Sequence, residues 1–184
     1  MDIGRIGAGR FPASYVQKKA QKNTPEADFG SQVQNMEKTQ GRVYTVYMPT
    51  DDMIYSGGNG SGLSFYIKYA EESTPEDPVV IAKGVDENGK EFEQTIHINR
   101  ISPRSATLVE MRALEAHLNV DKNGGLSSLP LVEGLEQMGL NDRGDFLRMF
   151  EKTIGDMTLL RQKEAAAYYQ YSMQTYWDWW DRQK

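Results

Sequence analysis

Between Arg42 and Asn99 the chain carries five successive runs of β-branched and aromatic residues, VYTVYM, DMIYSG, LSFYIKYA, VVIAKGV and EFEQTIHIN, interrupted by Asn-Gly pairs. Val, Ile, Thr, Tyr and Phe suit a pleated, half-buried surface, and Asn-Gly tolerates the positive φ of a tight reversal. Asn59-Gly60 and Asn88-Gly89 both stand between runs and each predicts a two-residue hairpin turn; a third pair, Asn123-Gly124, falls later. An antiparallel meander follows. With Glu87 facing Lys90 across the second turn, Val85 pairs with Phe92, Lys83 with Gln94, Ile81 with Ile96 and Val79 with Ile98. Val80, Ala82, Thr95 and His97 then take the other, more exposed face.

Past Asn99 the period changes. Ser102-Pro103 predicts a helix start, with a hydroxyl for a free N–H and a proline where its own missing N–H costs nothing. Leu108, Met111, Leu114 and Leu118 recur at helical spacing as far as the Asp121-Lys-Asn-Gly-Gly125 break, a helix of about 16 residues. Leu126 to Leu140, with Pro130 and two glycines, predicts one short helix inside a loop. From Asn141 or Asp142 a long helical pattern runs almost to the end, with Gly155 its weakest point. The expected fold is therefore α+β: an antiparallel sheet of four to five strands, built as a meander of hairpins and covered on one face by C-terminal helices.

Charge divides the chain along its length. Residues 1–42 carry 7 basic and 4 acidic groups, 43–100 carry 4 and 10, 101–140 carry 3 and 5, and 141–184 carry 7 and 7. The first stretch is rich in Gln, Lys, Asn, Gly and Ala and offers little apolar surface against the entropy of ordering. Residues 1–41 thus read as a polar, partly disordered arm. Residues 42–184 read as one α+β domain, with the sheet in 42–100 and the helices in 101–184.

Few catalytic templates survive the composition. There is no cysteine, which excludes disulfide frameworks and thiolate chemistry, and only 2 histidines are present. A net charge of -5 argues against nucleic acid as a partner. Ser56 to Gly62, SGGNGSG, lacks the Lys-Ser/Thr of a phosphate loop and leads into a strand pattern, so it reads as a turn. Asp121-Lys-Asn123 begins like a calcium loop, but Leu126 holds its sixth position and Val132 its twelfth; a glycine-terminated helix end explains it better. His97 and His117 lie 20 residues apart without a carboxylate pattern and read as separate, His117 favoured when charged by its place near a helix C-terminus. Glu71, Glu72, Glu76 and Asp77 read as a solvated loop, and Arg143-Gly144-Asp145 as the first turn of a helix. No catalytic residue, metal ligand or cofactor is expected.

The aromatic C-terminus is the most unusual feature. On one continuous helix Phe146, Phe150, Ile154, Met157, Leu160, Tyr168, Tyr171 and Trp179 fall on one side, expected to cover the sheet. Tyr169, Met173, Tyr176 and Trp180 form a second stripe, with Trp177 nearby. These five residues are the expected interaction surface, since tyrosine and tryptophan are enriched at contact sites. Packing within the domain, against the N-terminal arm, and a stacking platform for a sugar or base are the competing readings.

Three stretches, SGGNGSGLSFYIKYAEES, KGVDENGKEFEQTIHIN and SATLVEMRALEAHL, make residues 48–118 resemble a group of short, uncharacterised proteins from anaerobic Gram-positive bacteria. The resemblance implies a bacterial source and transfers no site residue. The longest uninterrupted apolar stretches, such as Val79 to Ala82, are far too short to span a bilayer, so no membrane association is expected. The N-terminus lacks the layout of a secretion signal, which predicts a cytoplasmic location. Sparse apolar residues there, Ile3, Ile6, Phe11, Phe29 and Val33, suggest export without a cleaved signal by a flagellar-type route as the alternative. The expected function is a non-catalytic protein-interaction or assembly domain, with a homo-oligomer or another protein as partner. The alternative is a small-ligand-binding module or hydrolase with its site between sheet and helices.

Overall fold

The computed structural model describes residues 45–120 and 127–184. The expectations for the N-terminal arm, for the Asp121 to Gly125 break and for the Asn123-Gly124 turn fall outside these residues. Four strands, β1 (Met53–Gly58), β2 (Ser64–Tyr69), β3 (Val79–Val85) and β4 (Glu91–His97), lie side by side in chain order, every neighbouring pair antiparallel. Residues 45–48 of the first run join no strand. They cross the outer face of the sheet instead.

The β3–β4 hairpin does not turn on two residues. Asp86 N–H donates to the Lys90 carbonyl at 2.8 Å, and Gly89 N–H donates to the Asp86 carbonyl at 2.9 Å, so Glu87, Asn88 and Gly89 form a three-residue loop. Gly89 takes φ +77, the left-handed value that closes such a loop. The Asp86 carboxylate selects this form by accepting from the Asn88 and Lys90 N–H groups at 2.9 and 2.8 Å. The β1–β2 hairpin repeats the device: Asn59 N–H donates to Leu63 O at 2.9 Å, Asn59 Oδ1 accepts from Ser61 N–H, and Gly62 holds φ +104.

One added loop residue shifts the register by one. Val85 meets Glu91, Lys83 meets Glu93, Ile81 meets Thr95 and Val79 meets His97, which corrects the expected pairing. A slip of one exchanges the two faces of a strand. On β3, Val80, Ala82 and Gly84 are therefore buried under the helices, while Ile81, Lys83 and Val85 face outward and are partly exposed. The β4 assignment is unaffected: Phe92 and Ile96 face the core, and Ile96 is buried.

Helix α1 (Leu108–Leu118) starts six residues beyond Ser102. Thr107 Oγ1 accepts from Glu110 N–H at 3.2 Å while the Glu110 carboxylate accepts from Thr107 N–H at 2.8 Å, a reciprocal cap stronger than a lone serine. Ser102-Pro103 opens a turn closed by Ser105 N–H on the Ser102 carbonyl. The helix ends at Asn119, left-handed at φ 47, rather than at a glycine. The short pair β5 (Ala106–Thr107) and β6 (Arg143–Gly144) ties the start of α1 to the start of α2 (Phe146–Leu159). Asp145 caps α2 by accepting from Arg148 N–H at 3.0 Å. A 3-10 turn at Leu135–Gln137 is the short helix expected in the loop.

The long C-terminal helix is two helices. The chain reverses at Leu160–Gln162, where Arg161 adopts φ 60, and resumes as α3 (Lys163–Asp181), which packs along α2. Gly155 continues α2 without a break. The core lies between the sheet and the helices, where Phe65, Ile67, Val80 and Ala82 meet Met111, Leu114, Leu129, Phe146 and Phe150.

Two glycines test this packing with opposite signs. A Cβ on Gly84 would sit 2.1 Å from the Ser64 carbonyl oxygen and 2.7 Å from Phe65 Cα, so Gly84→Ala should lower unfolding free energy by about 2–3 kcal/mol. A Cβ on Gly155 meets nothing within 4 Å, and Gly155→Ala should raise it by about 0.5–1 kcal/mol. Urea titration of both variants reads the two directions.

Candidate functional site

The reversal at Leu160–Gln162 resets the helical phase, so α3 does not inherit the face projected from α2. Tyr169 and Tyr176 are 2% and 0% exposed and belong to the core, whereas Leu160 and Tyr171 are 65% and 56% exposed. This corrects the expectation in both directions: Tyr169 and Tyr176 cannot meet a partner, and Leu160 and Tyr171 do not cover the sheet. Met173 is half-buried against the core. Trp177 and Trp180 are half-buried at the helix end, their rings packed edge to face with centroids 5.5 Å apart. The Arg104 guanidinium lies 5.2 and 5.7 Å from those two centroids, and Lys184 Nζ lies 3.7 Å from that of Trp180. Cations over indole faces are attracted by the ring quadrupole. These tryptophans thus bind charges of the same chain and anchor its C-terminal end.

Beneath them lies a buried polar chain that joins residues far apart in sequence. Arg112 Nη1 donates to Glu115 Oε2 at 2.7 Å; Ser128 donates its single hydroxyl proton to Glu115 Oε1; the Tyr176 hydroxyl, 3.0 Å from Ser128 Oγ, is left to donate to that serine. The Arg112 guanidinium also stands 5.6 Å over the Tyr55 ring. Glu115 and Ser128 are 2% and 0% exposed. Burial, reinforced by the Glu115 carboxylate, pushes the Tyr176 phenol far above the ordinary tyrosine range. Burial works against the Arg112 charge, but Glu115, Tyr55 and Tyr176 together outweigh it and hold the guanidinium above its usual value. A serine beside a carboxylate resembles half of a hydrolytic site. Sealed from solvent, this one connects α1, the Ser127–Leu129 segment and α3 with every charge paired.

The remaining sequence candidates resolve into local structure. Burial pushes the His117 pKa down, which corrects the expectation of a favoured charged form. Its Nδ1 is 3.0 Å from the Tyr69 hydroxyl, and its ring meets Trp179 edge to face at 5.4 Å. His97 lies on the outer face with Nδ1 3.6 Å from an Asp77 carboxylate oxygen. Among the described residues no group of three His, Asp or Glu side chains could hold a metal. Glu71, Glu72, Glu76 and Asp77 are exposed in the β2–β3 loop. Arg143 bridges the Glu110 carboxylate and the Ser105 carbonyl, and Asp145 is the α2 cap, so the Arg-Gly-Asp tripeptide is held in packing.

The described residues leave space on the outer side of the sheet. A groove of about 360 Å³ runs between residues 45–49 and the β1–β2 pair, lined by Val46, Tyr47, Pro49 and Leu63 among others. Ser56 Oγ donates to the Tyr47 carbonyl at 2.8 Å and Ser64 Oγ donates to the Thr45 carbonyl, which straps the segment down. A second groove of about 360 Å³ lies beside Tyr47 and Tyr66 over Lys83, Glu91 and Glu93. Both are open to solvent. Beside the second groove β4 ends the sheet, with no further strand paired to it among the described residues.

No family model matches the chain, and neither a curated protein nor a solved structure does. Among the described residues no helix is long and apolar enough to cross a membrane.

The burial difference along α3 should be measurable. Tyr176→Ala should cost about 3–5 kcal/mol of stability, and Trp180→Ala about 1 kcal/mol, read by denaturant unfolding. For His117 the folded-state pKa lies below the ordinary value of about 6.5, so the unfolded chain takes up its proton first. Its contribution to stability is therefore complete above that value and is lost as pH falls. Between about pH 7 and 5 the wild type should lose more stability than His117→Gln.

Proposed function

We propose that the chain is a non-catalytic protein-interaction domain that takes up an extended strand on the β4 edge of its sheet. The observation that carries this reading is the direction of the β4 backbone. Asp86 N–H on Lys90 O and Ile98 N–H on Pro78 O, at either end of the hairpin, fix the alternation so that the even-numbered β4 residues bond to β3. Glu91, Glu93, Thr95 and His97 turn their N–H and C=O groups outward, and the first three are exposed. Such an edge is a template for β-strand addition, in which main-chain hydrogen bonds supply affinity. The opposite edge is less suited, because β1 carries an irregularity between Met53 and Tyr55.

This reading keeps a protein partner and moves the contact away from Tyr169, Met173 and Tyr176, which pack inward. A ligand or hydrolase site between sheet and helices has less support, since Leu63, Phe65, Phe146 and Tyr176 fill that space. Peptides selected from a random library should shift the amide resonances of Glu91, Glu93, Thr95 and His97. Their binding should be lost in Thr95→Pro, which removes one outward N–H and leaves the β3 ladder whole. Shifts confined to Tyr171, Trp177 and Trp180 would return the contact to the aromatic helix, and a library without binders would overturn the interaction reading.

A further inference from the structure

We infer that the strand taken up by β4 is β4 of a second copy, paired antiparallel about a two-fold axis through Gln94. The inference rests on the reading of β4 as a docking edge and names its occupant from the strand's own sequence. With Gln94 on the axis, Glu91 faces His97 of the second copy, Glu93 faces Thr95, and Phe92 faces Ile96. Glu91 thus meets an imidazole, Glu93, ion-paired with Lys83 of its own chain at 2.9 Å, meets a hydroxyl, and apolar meets apolar, which are cross-strand pairs that stabilise a sheet.

The parity also fits. Glu91, Glu93, Thr95 and His97 carry the outward backbone groups, and in this register they oppose one another, so all four contribute to the new ladder. Centring on Glu93 would set its carboxylate against its own copy. Centring on Thr95 would leave Glu91 without a partner. The core face agrees: Phe92 is only half-buried, with its ring 6.4 Å from Phe65, and a neighbouring Ile96 would extend the apolar layer across the seam. The His97 side chain is about one-third exposed on this edge, with its buried Nδ1 turned to the Asp77 carboxylate at 3.6 Å, and its ring is what a facing Glu91 would meet. The assembly is a closed pair with one continuous eight-stranded sheet, the isologous arrangement most common among homo-oligomers.

Sedimentation of the full chain from about 5 to 500 μM should show the mass rising from 20.9 kDa toward twice that value, the range expected of a small interface. The chain has no cysteine, so Gln94→Cys introduces a single thiol. In the proposed register the two copies of position 94 form a non-hydrogen-bonded pair with Cα atoms about 4.5 Å apart, within disulfide reach. Oxidation should link Gln94→Cys faster than Glu93→Cys, Thr95→Cys or, on an exposed loop, Thr74→Cys. Thr95→Pro should abolish dimerisation, and Thr95→Glu, an exposed change that sets two pairs of carboxylates face to face, should weaken it about tenfold with the melting temperature retained.

Fastest linkage at position 93 or 95, or a dimer that survives both Thr95 variants, would overturn the inference. So would a monomer at every concentration. If that monomer still binds selected peptides at Thr95, the docking edge stands with a different occupant. If it binds none, the reading of β4 as a docking edge fails as well.

Discussion

The Asp86 carboxylate, accepting two backbone N–H groups across a three-residue loop, sets more of this molecule than any other single interaction. Together with the left-handed Gly89 it adds one residue between β3 and β4. That residue decides which side of β3 is apolar toward the helices. The alternative register would place Ile81 and Lys83 against α1 and turn Val80 and Ala82 to water, a core with a buried ammonium. The choice of which β3 face the helices cover therefore traces to one side-chain acceptor.

The second constraint is the polar chain from the partly exposed Arg112 through the buried Glu115 and Ser128 to Tyr176. Apolar packing between helices and sheet is tolerant of sliding, because Leu, Met and Phe contacts are nearly isotropic. Hydrogen bonds between particular atoms are not. By requiring that Tyr176 meet Ser128 while Ser128 meets Glu115, this chain permits one rotation of α3 about its axis and one depth of insertion. That rotation puts Tyr169 and Tyr176 inside and leaves Tyr171 in solvent. We see in it a reason for the fixed pose of a helix whose apolar residues cover most of its circumference.

The meander was legible from the runs of Val, Ile, Tyr and Phe and from the glycines that separate them, because period and turn chemistry act locally. Its register was not, since Asn88-Gly89 suits both a two-residue and a three-residue loop, and the choice rests on a hydrogen bond to Asp86. The start of α1 was written in Thr107 and Glu110, three apart, yet Ser102-Pro103 offered a competing local signal. The break at Leu160–Gln162 contains neither glycine nor proline, and no local rule marks it. Of the five aromatic-end residues, Trp177 and Trp180 stay at the surface and Tyr169 and Tyr176 do not, because the reversal before α3 decides which of its two apolar stripes turns inward. Ser128 and Tyr176 are remote in sequence, so only the tertiary fold could join them to Glu115.

The left-handed Arg161 at the tip of the α2–α3 hairpin is exposed, with Leu159 82% exposed beside it. Backbone at such a tip makes few contacts that cleavage would remove. The attachment of α3 rests on side chains: Phe150 against Tyr176 at 5.8 Å between centroids, Tyr176 on Ser128, and Arg104 on the two tryptophans. A chain severed after Arg161 by trypsin would accordingly hold its two pieces together without a covalent link. The final helix is in this sense a detachable part, one that a separately synthesised segment from Gln162 onward could replace.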